Sequence, residues 1–209
     1  MGAVTIAEAL AIESAALADG WTGEQLLDCA GKSLGHAIGR FFPTPGTMIG
    51  YLGKGHNAGD ALVALRILRD HYGWKIAARN AFPIGEFTPV SLRKWDELGM
   101  TAPLDRCPEL QELKRPLVLL DGLLGTGSSG TLREPLVTLA GEMSDLRQRS
   151  GAQVAAVDLP SGIAPDSGEA FSNTVVADVT FMIGNAKRGL LNSQAANATG
   201  ALALVPVES

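Results

Sequence analysis

The sequence predicts a Rossmann-like α/β fold with a mainly parallel sheet covered by helices on both faces. Short apolar runs ending in Gly or Asp recur along the chain, and segments of helical period separate them. Strands bracketed by helices of ten or more residues imply βαβ units, which make parallel pairs and bury the sheet on both sides.

Taken in order, Thr5-Ile6-Ala7-Glu8 has the form of a capping box, in which the Thr and Glu side chains satisfy early helical amides. Ile6, Leu10, Ala11 and Leu17 continue at helical spacing. Thr22 to Gln25 repeats the signal, and Leu26, Leu27, Ala30, Leu34 and Ile38 extend a second amphipathic helix that Pro43 to Gly46 breaks. These two helices are expected to cover the sheet or to contact a partner chain. Thr47 to Leu52 reads as a buried strand, Asp60 to Tyr72 as a helix, and Lys75 to Phe82 as a second strand followed by a helix near Ser91 to Leu98. Leu117 to Asp121 is a third strand, Arg133 to Ser150 a helix and Val154 to Asp158 a fourth strand. Val176 to Ile183 and Ala201 to Val207 complete the sheet.

With 209 residues, 46% of them hydrophobic, the chain suits one substantial core, so residues 1–209 are read as a single domain. A net charge of -5 offers no general attraction for nucleic acid or anionic lipid. No run approaches the roughly 18 apolar residues that span a bilayer. Met1 to Ala11 carries Glu8 and lacks a basic region, so it does not read as a signal peptide. Cys29 and Cys107 stand far apart, outside any metal or disulfide spacing, and read as small hydrophobes in a cytoplasmic protein.

Ligands of open parallel sheets bind beyond the carboxyl ends of the strands. Three such ends carry unusual residues: Gly53-Lys54-Gly55-His56-Asn57-Ala58-Gly59-Asp60, then Asp121 to Thr131, then Asp158-Leu159-Pro160-Ser161-Gly162. Singly, the glycines read as tight turns and the aspartates as caps. Their convergence on one sheet edge points instead to a site. The first two loops suit a phosphate cradle, because Gly-rich turns expose backbone N–H groups beside a helix N-terminus. Asn57, Asp121 and Ser161 each offer a side-chain oxygen, the donor type of a hard cation, and no His/Cys cluster exists for a softer one.

Competing motifs fit less well. Gly53-x-Gly55-x-x-x-Gly59 departs by one residue from the dinucleotide fingerprint, and the second strand ends in Arg79-Asn80 rather than an acid. Arg79 could accept a 2′-phosphate, which keeps an NADP-dependent oxidoreductase open. No catalytic Tyr/Lys or His/Asp pair stands out. Pro160-Ser161-Gly162 is not a nucleophile elbow, and Gly53-Lys54 is not a Walker A motif.

At these loops the chain resembles the YjeF N-terminal domain family, whose enzymes are NAD(P)HX epimerases. Gly53 to Leu62 is similar to the family's G-x-G-N-N-G-G-D-G-L, and Asp121 to Gly127 to its D-A-L-F-G-T-G. Asp158 to Ile163 matches D-[IL]-P-S-G-[LI], and Ala186 to Leu191 resembles P-K-x-G-L-L. The likeness runs from about Thr5 to Val207. It implies a three-layer α/β/α fold that interconverts the R and S epimers of hydrated NADH or NADPH. It also implies a potassium ion on Asn57, Asp121 and Ser161, with substrate against His56, Asn57, Ala58, Gly59 and Asp60. Gly125, Thr126, Gly127, Ser128, Ser129, Gly130 and Thr131 would line the same substrate, with Asp158 as catalytic acid/base at the nicotinamide.

Three departures from the pattern, His56, Ala58 and Ala61, bear on activity, and a methyl at Ala58 is expected to add bulk where substrate approaches. A non-catalytic nucleotide-binding or scaffold domain of the same fold is therefore the alternative reading. Family enzymes often come fused to a dehydratase, so an NAD(P)HX dehydratase is the expected functional partner, and the N-terminal helices suggest a homodimer.

Overall fold

A computed structural model describes residues 2–128 and 130–207. Six strands form one parallel sheet in the order β2-β1-β3-β4-β5-β6. They are β1 (Thr47–Leu52), β2 (Lys75–Asn80), β3 (Leu117–Gly122), β4 (Gln153–Val157), β5 (Val179–Ile183) and β6 (Ala201–Val205). The helices are α1 (Ile6–Ala18), α2 (Gly23–Phe41), α3 (His56–Tyr72), α4 (Pro89–Leu98), α5 (Leu136–Ser150) and the single turn α6 (Ala196–Thr199). Both expected capping boxes are present, at Thr5/Glu8 and Thr22/Gln25. The bounds of β1 match the expected Thr47 to Leu52 and those of β3 and β4 differ from expectation by one residue, whereas β2, β5 and β6 are shorter, β5 most, beginning at Val179 rather than Val176.

Because successive strand side chains point to opposite faces, β1 divides its residues between two cores. Met48 and Leu52 join Leu34 and Ile38 of α2, Leu62 and Leu65 of α3, and Trp95 and Leu98 of α4. Ile49 and Tyr51 pack on the other face with Leu136, Leu139 and Met143 of α5. Gly31 and Gly35, one turn apart on α2, let it approach α3 closely, since a Cβ at either would collide with Val63 or Ile67. The three layers implied by the resemblance are thus formed.

Two expectations change. The α1 helix does not cover the sheet, for none of its residues is buried and Leu10, Ile12 and Leu17 face outward. It is held by its leading segment, where Val4 pairs with Ala186 and Arg188 through two backbone hydrogen bonds of 2.8 Å. The third helix begins at His56, four residues before the expected Asp60. Its first turn therefore absorbs the supposed glycine loop, with extended Gly55 as N-cap. Among the described residues no helix is long and apolar enough to cross a membrane.

Candidate active site

The carboxyl ends of β1, β3 and β4 are tied together by side chains. Asp121, at the end of β3, is fully buried and accepts three hydrogen bonds: Ser161 N to Oδ2 at 2.8 Å, Ser161 Oγ to Oδ1 at 2.7 Å and Leu123 N to Oδ1 at 3.2 Å. Ser161 Oγ accepts from Leu124 N at 2.9 Å, and Asn57 Nδ2 donates to Leu124 O at 2.9 Å. Gly125 lies against Asn57, so close that a Cβ there would sit 3.1 Å from Asn57 Cβ. The three residues named as oxygen donors thus meet around one turn, Leu123-Leu124-Gly125. Burial pushes the Asp121 carboxyl up to about 6, with its hydrogen bonds to Ser161 and Leu123 acting in the opposite direction.

That donor set fits a hard cation. A fully buried carboxylate has no Lys or Arg partner among the described residues, and it is joined through Ser161 Oγ to the Leu124 turn that the Asn57 amide also reaches, a set of side chains whose donors would all be oxygens. No group of three His, Cys, Asp or Glu side chains gathers among the described residues, so a divalent transition-metal centre has no ligands there.

Beside this cluster, Asp158 follows β4 with φ of 66°, a left-handed conformation that costs a non-Gly residue energy and is typical of functional sites. Its Oδ1 accepts from Ile183 N at 2.9 Å and from Lys187 Nζ in a close ion pair. Lys187 is 5% exposed and donates its second hydrogen bond to Ile183 O at 2.8 Å. Among the described residues nothing donates to Asp158 Oδ2, which leaves that oxygen for a ligand. The Val4 pairing with Ala186 and Arg188 fixes the backbone on either side of Lys187. Lys187 lies inside the stretch Ala186 to Leu191 that resembles P-K-x-G-L-L, and that resemblance gives it no role. No spacing marks it, because the pair joins residues 29 apart and depends on a segment more than 180 residues away.

Asp60 is the third charged group here. It sits in the first turns of α3, and its Oδ1 is out of reach of solvent and without a hydrogen-bond partner. Burial, reinforced by the charge of Asp158, raises its carboxyl well above the ordinary range; Lys187 acts against the shift and Glu13 of α1 adds to it.

The remaining expected site residues divide into two groups. His56 is exposed at the start of α3, and among the described residues its amide and that of Asn57 have no backbone acceptor, leaving two N–H groups at a helix N-terminus. Gly125, Thr126, Gly127, Ser128, Gly130 and Thr131 form a partly to fully exposed loop beside them, with Gly130 at φ of 105°. Ser129 lies outside the described residues. By contrast, Ala58 and Gly59 point inward. Ala58 is fully buried in the core, so its methyl is not in the path of a substrate as expected. A Cβ on Gly59 would strike Leu27, and the amides of both residues donate back to Gly55 O at 3.1 and 3.3 Å. Helical phase is the reason: in a first turn, consecutive residues cannot all face the cleft.

Arg79 is also corrected. Each of its three guanidinium nitrogens is engaged, by Glu142 at 2.7 and 2.9 Å and by the carbonyls of Leu104 and Asp105 at 2.8 and 2.6 Å. It is a structural clasp between β2 and α5, not a reader of a 2′-phosphate.

Among proteins of known name, the chain is 32% identical over 98% of its length to the bifunctional NAD(P)H-hydrate repair enzyme Nnr of Thermosynechococcus vestitus, covering 39% of that protein. To the enzyme of the same name from Pyrobaculum aerophilum it is 34% identical over 87% of its length, covering 37% of that protein. It spans about two fifths of these bifunctional relatives. It covers 87% of the NAD(P)H-hydrate epimerase of Cenarchaeum symbiosum, at 26% identity over 90% of this chain. The crystal structure of yeast ynu0, YNL200c, shares the fold, with a TM-score of 0.71 over 87% of this chain and 80% of that one at 22% identity. The family model described as YjeF-related protein N-terminus matches residues 23–189, which hold α2, the first five strands and every side chain of the site. With most of its length inside that model, the chain belongs to the YjeF-related protein N-terminus family.

Proposed function

We propose that this chain is an NAD(P)H-hydrate epimerase, interconverting the R and S forms of hydrated NADH and NADPH. The observation that carries the reading is Asp158: strained, paired with Lys187, and with a carboxylate oxygen that has no donor among the described residues, at the sheet edge that also holds two open amides and a Gly-rich loop. The names of the relatives supply the substrate class. Exposed amides at the start of α3, with the loop of residues 125–131, suit the diphosphate. Asp158 is then the proton-transfer group at the hydrated ring. Full engagement of Arg79 leaves an NADP-dependent oxidoreductase without its one supporting residue.

The reading includes a potassium ion held by Asn57, Asp121 and Ser161. When bound it would supply positive charge that balances the buried Asp121 carboxylate and braces the turn from Leu123 to Gly125. Purified protein is expected to convert (R)-NADHX faster than the spontaneous rate, read with a stereospecific dehydratase. Potassium is expected to raise its melting temperature over choline at equal ionic strength, and Asn57→Ala to reduce that increment. A folded protein with no acceleration sinks the epimerase reading; equal melting in both salts sinks the ion.

On this reading the product passes to an NAD(P)HX dehydratase, as suits a chain whose relatives are named bifunctional NAD(P)H-hydrate repair enzymes, and the chain works in the cytoplasm. The reading also takes the apolar outer face of α1, with Leu10, Ile12 and Leu17 exposed, as a homodimer surface. Light scattering is expected to give twice the chain mass at micromolar concentration, and the mass of one chain would overturn the dimer.

A further inference from the structure

We infer that Asp60 is a second catalytic carboxyl of this site, the acid that protonates the departing hydroxyl while Asp158 acts as the base. The inference rests on the epimerase reading above and deepens it. Two carboxyl groups stand at the same edge of the sheet, Asp60 in the first turns of α3 after β1 and Asp158 after β4, and their surroundings differ. Asp158 is ion-paired with Lys187 and receives the Ile183 amide. Among the described residues Asp60 has no ion-pair or hydrogen-bond partner, and its Oδ1 is withdrawn from solvent. A buried carboxylate without a partner is unfavourable, whereas the neutral acid is a hydrogen-bond donor that needs an acceptor. The substrate hydroxyl is such an acceptor. Two carboxyls in unlike surroundings at one site are the usual arrangement of an acid and a base.

The chemistry balances as follows. Hydration of the dihydronicotinamide puts a hydroxyl on the ring carbon bonded to the nitrogen. Asp60 gives its proton to that hydroxyl, the C–O bond breaks, and the nitrogen lone pair forms a C=N iminium bond as water leaves. A water molecule then attacks the same carbon and transfers one proton to the Asp158 carboxylate, forming the new C–O bond. The carbon is planar in between, so the returning oxygen can take either configuration. The proton passes from Asp158 back to Asp60 through solvent, and no net proton, electron or water is consumed.

The charged groups that face Asp60 are Asp158 at the end of β4, Lys187 after β5 and Glu13 of α1. The first and last favour the neutral acid and Lys187 opposes it.

The test is the full chain with (R)-NADHX in water labelled with oxygen-18. Wild-type protein is expected to place one labelled oxygen in each epimerised molecule, above the spontaneous exchange. Asp60→Asn is expected to lower kcat about 10²–10⁴-fold with KM changed less than about threefold. Asp60→Glu, which keeps the acid, is expected to recover more of the rate than Asn. The wild-type rate is expected to fall at alkaline pH as the acid loses its proton, a limb missing from the residual rate of Asp60→Asn. Equal losses in Asp60→Glu and Asp60→Asn indicate a packing role and overturn the assignment, as does epimerisation without label. If wild-type protein epimerises and Asp60→Asn keeps its kcat, only Asp60 is removed. If wild-type protein does not epimerise, the proposed function falls and takes this assignment with it.

Discussion

Replacing Asp158 with Asn is expected to lower epimerisation by about 10²–10⁴-fold, the range typical of a lost proton-transfer group. Asn has the same shape and keeps an oxygen for the Ile183 amide and the Lys187 ammonium, which both bind Oδ1. It also tolerates the φ of 66° better than most residues. Chain folding, read by circular dichroism, is therefore expected to persist while turnover disappears. The substitution removes a negative charge that helps keep Asp60 protonated, so it alters both carboxyls of the proposed pair. Unchanged turnover in folded Asp158→Asn would remove Asp158 from catalysis.

Lys187→Met is expected to damage stability as well as activity. The ammonium is almost fully buried, and it neutralises Asp158 while donating to Ile183 O. Without it, neither Asp158 nor Asp60 has a cation paired with it among the described residues. Breaking one side of a buried pair costs about 3–5 kcal/mol, because the surviving charge stays desolvated. Urea unfolding is expected to show a loss of that order, and the Asp158→Asn, Lys187→Met double variant to recover a large part of it. A double-mutant cycle isolates the coupling between the two. Additive losses would mean that the pair has no energetic coupling and that Lys187 serves only to fill space.

Both predictions turn on residues whose importance differs in legibility. Asp158 stands out in the sequence because it ends an apolar run and begins Asp-Leu-Pro-Ser-Gly. Lys187 does not, since a single Lys in a loop has no periodicity and its burial arises from distant segments. The donors Asn57, Asp121 and Ser161 were legible for a topological reason: if the strands are parallel, their carboxyl ends must share an edge. Their hydrogen bonds through the Leu124 turn follow from that placement. Arg79 illustrates the opposite case, a residue at a suggestive position whose three guanidinium nitrogens are each engaged by Glu142 or by two carbonyls that only folding brings near.

By itself the sequence determined the alternation of strands and helices, the two capping boxes and the sheet edge on which the chemistry gathers. These are local or periodic properties, set by side-chain shape and by which residues must leave water. Only the tertiary structure decided that α3 starts at His56, turning Ala58 and Gly59 into the core, and that α1 lies outside it. It alone paired Lys187 with Asp158 and left Asp60 Oδ1 without a partner. Those outcomes depend on desolvation and charge at a point where α3, β4 and the segment after β5 meet, and no single stretch of the chain contains that point.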